Sequence, residues 1–386
     1  MKKLSLTLLP LLTFTAAICA IFSCSYQRPK YLIVREAYSE ADSMLIIGQA
    51  VDALTFLFER FTDEEILTDD SLMLLQRRAY FSLVPYPRTR NIGTATGSLS
   101  VSAERILVTD YDRRGLVIFN SDSLTETGFI YTGFPTLCVS SSPDGQSAAV
   151  GLENGAVNIY RLRDGELADV YNAHHGRTRD IVWSTENRIY SCGNDRAVTA
   201  YDFTEGKELW RFQRNRRNVK DIDVSSDGTK LISASNDGIA FVLDSAGQQI
   251  HRIVNGKNYC NTALIFPDRT RFATAGGEGM VKIYDIATGS IKGSAVAAYG
   301  MPVWKMAIDT ANSHIAAAAK GVIAIIPASR PEMAYIIPIS SDSDVMDLEF
   351  ETPYSLIFIT ENGRIGRLTI PDNEDIVRTN HTFSKE

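Results

Sequence analysis

Residues 221–238 read DIDVSSDGTKLISASNDG, and this stretch decides the fold. Two short strand-like runs, 221–224 and 231–234, are separated by the tripeptide Ser-Asp-Gly, and the tripeptide Asn-Asp-Gly follows the second run. Serine, asparagine, aspartate and glycine favour tight turns, and short runs bounded by them are typical of antiparallel strands. A third strand, typified by 281–284, and a weaker fourth strand complete the pattern. The stretch therefore predicts a small sheet of four strands.

The turn between the first two strands recurs along the chain. Its middle residues are Ala103, Asp144, Glu186, Asp227, Asp268, Ala311 and Thr352. Consecutive members are 41, 42, 41, 41, 43 and 41 residues apart. A period of roughly 40 to 45 residues built from short strands indicates propeller blades. Seven such units predict an all-β, seven-bladed β-propeller, since closing the ring removes exposed sheet edges.

The last blade needs a fourth strand from outside the repeats. The C-terminal run 375–378 could supply it, and so could 81–84, which would clasp the two ends of the ring together. The sequence favours neither segment.

Two runs, IYDIATG at 283–289 and AYDF at 200–203, resemble the WD-repeat β-propeller family, with Tyr-Asp where the family usually has Trp-Asp. The resemblance covers about residues 92–372 and includes a histidine twelve residues before Glu186. In the family, such a histidine joins polar side chains in a buried network that fixes strand register. The resemblance therefore implies a structural network of His174, Ser191, Asp195 and Tyr201.

The segment 36–84, before the repeats, is predicted to be helical. Apolar residues recur there at three- and four-residue steps, and polar residues at 62–65 interrupt them. Small residues such as Ala41, Gly48 and Ala53 resemble those of a tetratricopeptide-type helical hairpin. The alternative is a helical cap on the next domain. Prolines at 85 and 87 mark the boundary, so the predicted propeller domain is 85–386.

The N-terminus has the features of an export signal. A basic start at Lys2 and Lys3 precedes an apolar run to Phe22, and Ser23-Cys24 then leads into polar sequence. This resembles a bacterial lipoprotein signal, although such signals more often have a small residue at the position of Phe22. The resemblance implies a signal peptide over 1–23, lipid attachment at Cys24 and a linker over 24–35. It also implies anchoring to the outer membrane, on its periplasmic or its surface side. The alternative is an uncleaved membrane anchor, since the apolar run is nearly long enough to span a bilayer.

The composition is that of an ordinary globular protein. The chain has 386 residues, 45% of them hydrophobic, with a formal charge of −7. The acidic balance disfavours a nucleic-acid partner. Five cysteines are too few for a disulfide-built scaffold, and we expect Cys138 and Cys192 to be buried small hydrophobes.

Catalytic motifs are not evident in the sequence. The five histidines lack metal-type spacing, no nucleophile-elbow pattern occurs, and the Asp-Gly pairs are predicted β-turns. We therefore expect no enzyme activity, cofactor, metal or small-molecule substrate. The rival hypothesis is a propeller enzyme or small-ligand binder that uses the central channel, where Asp180, Asp221, Asp342 and Asp344 are available.

Basic and aromatic residues are predicted to gather on one face of the ring. This face contains the loop that enters each blade and the turn between its second and third strands. The residues placed there are Arg177, Arg179, Arg196, Arg214, Arg216, Arg217, Tyr259 and Trp304, with Lys220 beside them. Guanidinium groups bind carboxylates and phosphates in a forked geometry, and arginine and aromatic residues are enriched at interface hot spots. The alternative is a solvated loop paired with acids such as Asp180 and Asp221.

The sequence thus predicts a non-enzymatic bacterial envelope lipoprotein that acts as a protein-interaction scaffold, as part of an outer-membrane assembly, secretion or transport complex. Its predicted partners are envelope proteins, and Cys24 tethers it to the membrane. Four Asp-Ser/Thr-apolar tripeptides, beginning at Asp42, Asp70, Asp122 and Asp309, resemble a bacterial O-glycan acceptor motif. Whether they are modified is left open.

Overall fold

The computed structural model describes residues 89–370 except 94–95, 103, 185–186, 257–258, 299 and 340–342. It also describes eight earlier positions, which are Ala41, Ala53, Phe56, Leu57, Arg60, Phe61, Leu72 and Leu75. The predicted signal peptide, Cys24 and the linker lie outside the described residues. So do both predicted closing segments, 81–84 and 375–378.

Twenty-eight strands form seven antiparallel sheets of four strands each. The first, β1 (Thr89–Asn91), precedes the repeats. Blade 1 contains β2 (Thr96–Val101), β3 (Arg105–Asp110), β4 (Gly115–Asn120) and β5 (Glu126–Tyr131). Blade 2 contains β6 (Thr136–Ser141), β7 (Ser147–Leu152), β8 (Ala156–Arg161) and β9 (Leu167–Asn172). Blade 3 contains β10 (Thr178–Trp183), β11 (Arg188–Gly193), β12 (Val198–Asp202) and β13 (Lys207–Phe212). Blade 4 contains β14 (Val219–Val224), β15 (Lys230–Ser235), β16 (Ile239–Asp244) and β17 (Gln249–Val254).

The remaining blades continue the same order. Blade 5 contains β18 (Cys260–Ile265), β19 (Arg271–Gly276), β20 (Met280–Asp285) and β21 (Ile291–Val296). Blade 6 contains β22 (Lys305–Ile308), β23 (His314–Ala319), β24 (Val322–Pro327), a 3-10 turn (Pro331–Met333) and β25 (Tyr335–Pro338). Blade 7 contains β26 (Val345–Thr352), β27 (Ser355–Thr360) and β28 (Arg364–Thr369). The predicted all-β, seven-bladed propeller is confirmed.

The ring is closed from its N-terminal side. Strand β1 pairs antiparallel with β28, with Thr89 opposite Gly366 and Asn91 opposite Arg364. The closing strand is therefore neither of the two predicted segments. It begins five residues after 84, the end of the N-terminal candidate, and it occupies the edge of β28 that the C-terminal run was expected to cover.

The core lies between the blades. The second strand of each blade is buried on both faces, whereas the outermost strands of blades 1, 2, 4 and 5 expose most of their residues. This gradient follows from the ring geometry, because each sheet packs against two neighbours near the axis and faces solvent at the outer circumference of the ring. The predicted burial of Cys138 and Cys192 is observed, and Cys260 is buried as well. All three are free thiols whose pKa values burial raises.

All described positions of the predicted helical segment except Arg60 belong to one apolar cluster. Ala53, Leu57, Leu72 and Leu75 are helical and fully buried in it. The rest of 36–84 lies outside the described residues, so the tetratricopeptide-like hairpin stays a prediction. Over the positions that the structure describes, no helix combines the length and the hydrophobicity that a membrane crossing requires.

The inner strands share one register irregularity that shapes the channel entrance. In blades 2, 3, 4, 5 and 7 the pairing with the second strand skips one residue near the start of the inner strand. We call the skipped residue and its equivalents in blades 1 and 6 the rim residues. They are Gly97, Leu137, Arg179, Lys220, Asn261, Trp304 and Met346. We call the residues that follow them the first-tier residues: Ser98, Cys138, Asp180, Asp221, Thr262, Lys305 and Asp347.

Candidate docking face and central channel

A buried polar network joins the entry loop of blade 3 to its second strand. The His174 Nδ1 atom lies 2.9 Å from Asp195 Oδ1, and Nε2 lies 2.9 Å from the Ser191 hydroxyl. A carboxylate only accepts hydrogen bonds, so Nδ1 donates to Asp195 and, in the neutral ring, Nε2 accepts from Ser191. Burial opposes ionisation of Asp195, but the His174 contact and backbone amides offset it and lower the pKa of that carboxyl. Three of the four predicted network residues are thus brought together.

Tyr201 does not join this network. Its hydroxyl donates to Asp169 at 2.6 Å, and its ring stacks on Tyr171 with 4.3 Å between centroids. Burial, followed by the contact with Asp169, raises the pKa of Tyr201 to about 12. The Ser191 hydroxyl instead lies 2.8 Å from the Thr199 hydroxyl. The fourth member is therefore Thr199. It lies two residues before Tyr201 on β12, so the two side chains are on the same face of the strand, and Thr199 is the one nearer to His174.

The central channel encloses about 260 Å³ and is lined by polar side chains of the inner strands. First-tier side chains accept backbone N–H groups from the next blade. Asp180 accepts from Ile222 at 3.1 Å and Asp221 from Ala263 at 2.8 Å. Equivalent bonds of 2.7–3.1 Å are made by Thr262 and Asp347. They are also made by four side chains two residues further along the inner strands, which are Ser100, Ser140, Asp223 and Glu349. These bonds link neighbouring blades around the ring.

Lys305 differs from the four first-tier residues that make these bonds, which are Asp180, Asp221, Thr262 and Asp347. An ammonium group has no acceptor, so Lys305 does not make the equivalent bond to blade 7, where Leu348 N–H donates to Asp347 of its own strand at 2.9 Å. Lys305 Nζ instead crosses the channel, donating to Asp180 Oδ2 at 3.1 Å and to Asp221 Oδ1. Burial disfavours the ammonium, but the two carboxylates outweigh burial, and the pKa of Lys305 lies well above its usual range.

Four carboxyls of the channel, those of Asp180, Asp223, Asp347 and Glu349, have raised pKa values. Burial is the largest cause, and it raises the pKa of Asp223 to about 7 and that of Glu349 to about 8. Burial also raises the pKa of Asp180 and Asp347 against the opposing effect of Lys305. Five channel carboxyls therefore share the ammonium group of Lys305; they belong to Asp180, Asp221, Asp223, Asp347 and Glu349. Some of these carboxyls take up protons near neutral pH.

The structure places the predicted arginines of blade 3 together at one end of the ring. Arg177 carbonyl oxygen accepts from Asn194 N–H at 3.0 Å, and Arg179 Nε donates to Asn194 Oδ1 at 2.7 Å. Arg196 carbonyl oxygen accepts from Asn215 Nδ2 at 3.3 Å, which joins this turn to the next entry loop. The guanidinium of Arg177 is paired with Glu153. We call the end of the ring that these loops form the entry face.

The entry loop of blade 4 contributes the exposed cations. Arg214, Arg216 and Arg217 are all exposed, and the Arg216 backbone N–H donates to Asp237 Oδ2 at 2.8 Å. Arg214 Nη1 donates to Gln249 Oε1 at 3.3 Å. Across the part of the chain that the structure describes, the guanidinium groups of Arg196, Arg216 and Arg217 have no acidic partner.

The predicted aromatic residues lie further around the same face. Tyr259 is 49% exposed in the loop that enters blade 5. Trp304 is half-buried at the rim of blade 6, and its Nε1 atom is buried without a hydrogen-bond partner. Val254, the last residue of β17, adds a further exposed apolar side chain in blade 4. The entry face thus combines a cationic sector over blades 3 and 4 with an apolar sector over blades 4 to 6.

The channel acids of the rival hypothesis show no catalytic arrangement. Asp180 and Asp221 are engaged by Lys305, Asp344 forms a backbone bridge with Lys320, and Asp342 lies outside the described residues. In the described ranges, no three His, Cys, Asp or Glu side chains are grouped as metal ligands would be. Two of the glycan-acceptor-like tripeptides can be placed: Ser123 and Thr310 are exposed in turns at the end of the ring opposite the entry face.

These observations define a seven-bladed β-propeller with a charged entry face, a class of fold suited to protein–protein interaction. Residues 206–244, which span most of blade 4 and the last strand of blade 3, match the family model "WD domain, G-beta repeat". The chain is 23% identical over 192 residues to the guanine nucleotide-binding protein subunit beta of Zea mays, covering 45% of this chain and 50% of that protein. It is 34% identical over 116 residues to WD repeat-containing protein 55 of Danio rerio, covering 28% and 30%.

The similarity to a solved structure extends further than the similarity in sequence. A chain of the crystal structure of the mitotic checkpoint complex superposes with a TM-score of 0.66 at 18% identity, over 74% of this chain and 92% of that one. Identity this low shows the fold alone. The chain spans half or less of the length of the relatives named above.

Proposed function

We propose that this protein is a non-catalytic interaction scaffold whose entry face docks an acidic segment of a partner protein. The observation that carries this proposal is the cationic sector. On a chain with a formal charge of −7, the three exposed arginines of one loop stand beside Arg196 with no acidic partner in the described structure. Arginine clusters of this kind recognise carboxylates, and a local charge of opposite sign steers the encounter.

Rigidity supports a docking role. The inner-strand side chains bond blade to blade at six of the seven junctions, and the His174 network fixes the loop that leads into blade 3. A surface that is already ordered loses little conformational entropy on binding. The name of the Zea mays relative is compatible with this role, since it describes one subunit of a larger protein.

We further propose that the scaffold is tethered to a bacterial outer membrane through acylated Cys24 and works within an envelope complex. The support for this is the N-terminal sequence alone: a basic start, an apolar run and Ser23-Cys24. Intact-mass measurement of the membrane-extracted protein tests it. We expect loss of residues 1–23 with gain of acyl chains at the new N-terminus, and an unprocessed, unacylated chain would contradict it.

Charge reversal tests the docking role. The variant Arg214→Glu/Arg216→Glu/Arg217→Glu is compared with a control of the same charge change, Arg163→Glu/Lys207→Glu/Lys230→Glu, at the opposite end of the ring. Partners are recovered from cells by affinity purification and quantified by mass spectrometry. We expect the first variant to lose more than nine-tenths of a partner that the control retains. Equal recovery by both variants, at equal thermal stability, would refute the docking role of the face.

A further inference from the structure

The rim of the channel has a pair of cations without a counter-ion. Arg179 and Lys220 are equivalent residues on the adjacent inner strands β10 and β14. Among the described residues, no acid pairs with either side chain, and Arg179 uses only Nε, in its 2.7 Å bond to Asn194. The N–H groups on the two Nη atoms of Arg179 and the ammonium group of Lys220 therefore remain available as hydrogen-bond donors.

The acids nearest in sequence are already engaged elsewhere. Asp180 and Asp221 directly follow the two cations, but each accepts a backbone N–H from the next blade and a bond from Lys305. Lys305 reaches them across the channel, from 125 and 84 residues away in the chain. The two carboxylates that follow the rim cations in sequence therefore have their bonding partners in the channel and in the next blade.

The electrostatics of the pair agree with this geometry. Burial, and then the charge of Arg179, lowers the pKa of Lys220. Burial, and then the charge of Arg177, lowers the pKa of Arg179. A cation paired with a carboxylate shows the opposite shift, since a nearby negative charge favours the protonated form.

We propose that Arg179 and Lys220 bind one carboxylate of the acidic partner segment, at the centre of the entry face. This inference rests on the proposed docking function and names its central contact.

The occupant is a polypeptide and not a free phosphate. The cations are spread from the rim to Arg216 and Arg217 on the adjacent loop, which suits several carboxylates spaced along a chain. Val254, 61% exposed, and Tyr259 continue the face with apolar surface that a phosphate would not contact. The carboxyls below the rim repel deeper entry of an anion, so the contact stays at the channel mouth.

Binding of an acetylated hexaglutamate peptide, measured by calorimetry and by tryptophan emission, tests the rim pair. We expect Lys220→Gln and Arg179→Gln each to weaken binding about tenfold, the usual effect of losing one hydrogen bond to a charged group. The control Lys230→Gln removes the same charge from the same blade at the opposite end, and we expect less than a twofold change. Lys220→Gln keeps the test valid if Arg179→Gln does not fold.

The outcomes separate the two proposals. Unchanged peptide affinity in Lys220→Gln, with binding lost in the triple arginine reversal, would overturn the rim contact and leave the docking face intact. Peptide binding unaffected by either variant would overturn both. Inorganic phosphate and phosphatidylglycerol vesicles are titrated in parallel. If either of them binds and the peptide does not, the rim contact is overturned as a protein-docking site.

Discussion

Blades 3 and 4 and blade 6 use equivalent positions for opposite chemistry. At the rim, blades 3 and 4 have Arg179 and Lys220, and blade 6 has Trp304. In the first tier below, blades 3 and 4 have aspartates, whereas blade 6 has Lys305. The second strand of blade 6 is a run of buried alanines, where blade 3 has the Ser191 network. The same blade backbone thus forms a polar, cationic channel entrance at blades 3 and 4 and an apolar channel entrance at blade 6.

The difference between these blades places an ion-paired lysine and unpaired cations around one channel. The lysine of blade 6 bonds to acids of blades 3 and 4 across the channel, whereas the rim cations next to those acids have no acidic partner among the described residues. Three substitutions test the contacts of these blades, from the largest expected effect to the smallest, and a pH titration tests the channel carboxyls.

Removing the cross-channel lysine should have the largest effect. Lys305→Met leaves two buried aspartates without their cation, and we expect a loss of about 3 kcal/mol in the free energy of unfolding, measured by urea titration. This is the lower end for a broken buried ion pair, because the Lys305 side chain is 26% exposed. The control Lys320→Met, exposed in the same blade, should change stability by less than about 0.5 kcal/mol. Equal effects of the two variants would show that the ion pairs are unimportant.

Removing the histidine of blade 3 should have the next largest effect. His174→Ala leaves Ser191 and Asp195 buried with unmet hydrogen bonds, and we expect a loss of about 2 kcal/mol. The adjacent, exposed His175 provides the matched control, since His175→Ala should be nearly neutral. A stable His174→Ala protein would contradict a structural role for the network.

A double-mutant cycle distinguishes Thr199 from Tyr201 as the fourth network member. We expect Ser191→Ala and Thr199→Val to couple by about 1 kcal/mol, because their hydroxyls lie 2.8 Å apart. Ser191→Ala and Tyr201→Phe should be additive, since the Tyr201 hydroxyl donates to Asp169 instead. Coupling with Tyr201 alone would restore the assignment that the sequence suggested.

The channel carboxyls should make stability fall as pH rises. Burial raises the pKa of Asp223 to about 7, above the value of about 3.9 expected in the unfolded chain. The native state therefore holds the proton more tightly, and ionisation destabilises the fold progressively from about pH 4 to pH 7. Asp223→Asn removes this contribution, so its stability relative to wild type should increase between pH 5 and pH 8. A constant difference over that range would contradict the shifted pKa.

The fold was largely predictable from sequence because blade geometry repeats locally. Turn tripeptides and strand lengths recur every 41 to 43 residues, so the count of seven required no long-range information. The closing strand was missed because β1 has only three residues and is selected by the free edge of β28, not by its own pattern.

The candidate site was only partly predictable, because its chemistry depends on contacts between distant blades. The arginine-rich loop is visible in the sequence as a local charge cluster. Lys305 gave no such signal, since its partners lie 84 and 125 residues away. Tyr201 was misassigned because its hydroxyl is positioned by Asp169 of the neighbouring blade. The regular spacing of the inner strands could have revealed Lys305 as a lysine among acids at equivalent positions.

The side-chain titration of Lys220, followed by NMR in the free protein, tests the central claim most directly. If Lys220 is buried beside Arg179 without a carboxylate partner, burial and then the charge of Arg179 hold its pKa below the value of about 10.4 for a free lysine. Adding hexaglutamate should then raise it. A pKa at or above that of a free lysine, unchanged by the peptide, would mean that the rim is already compensated within the protein and would contradict the account.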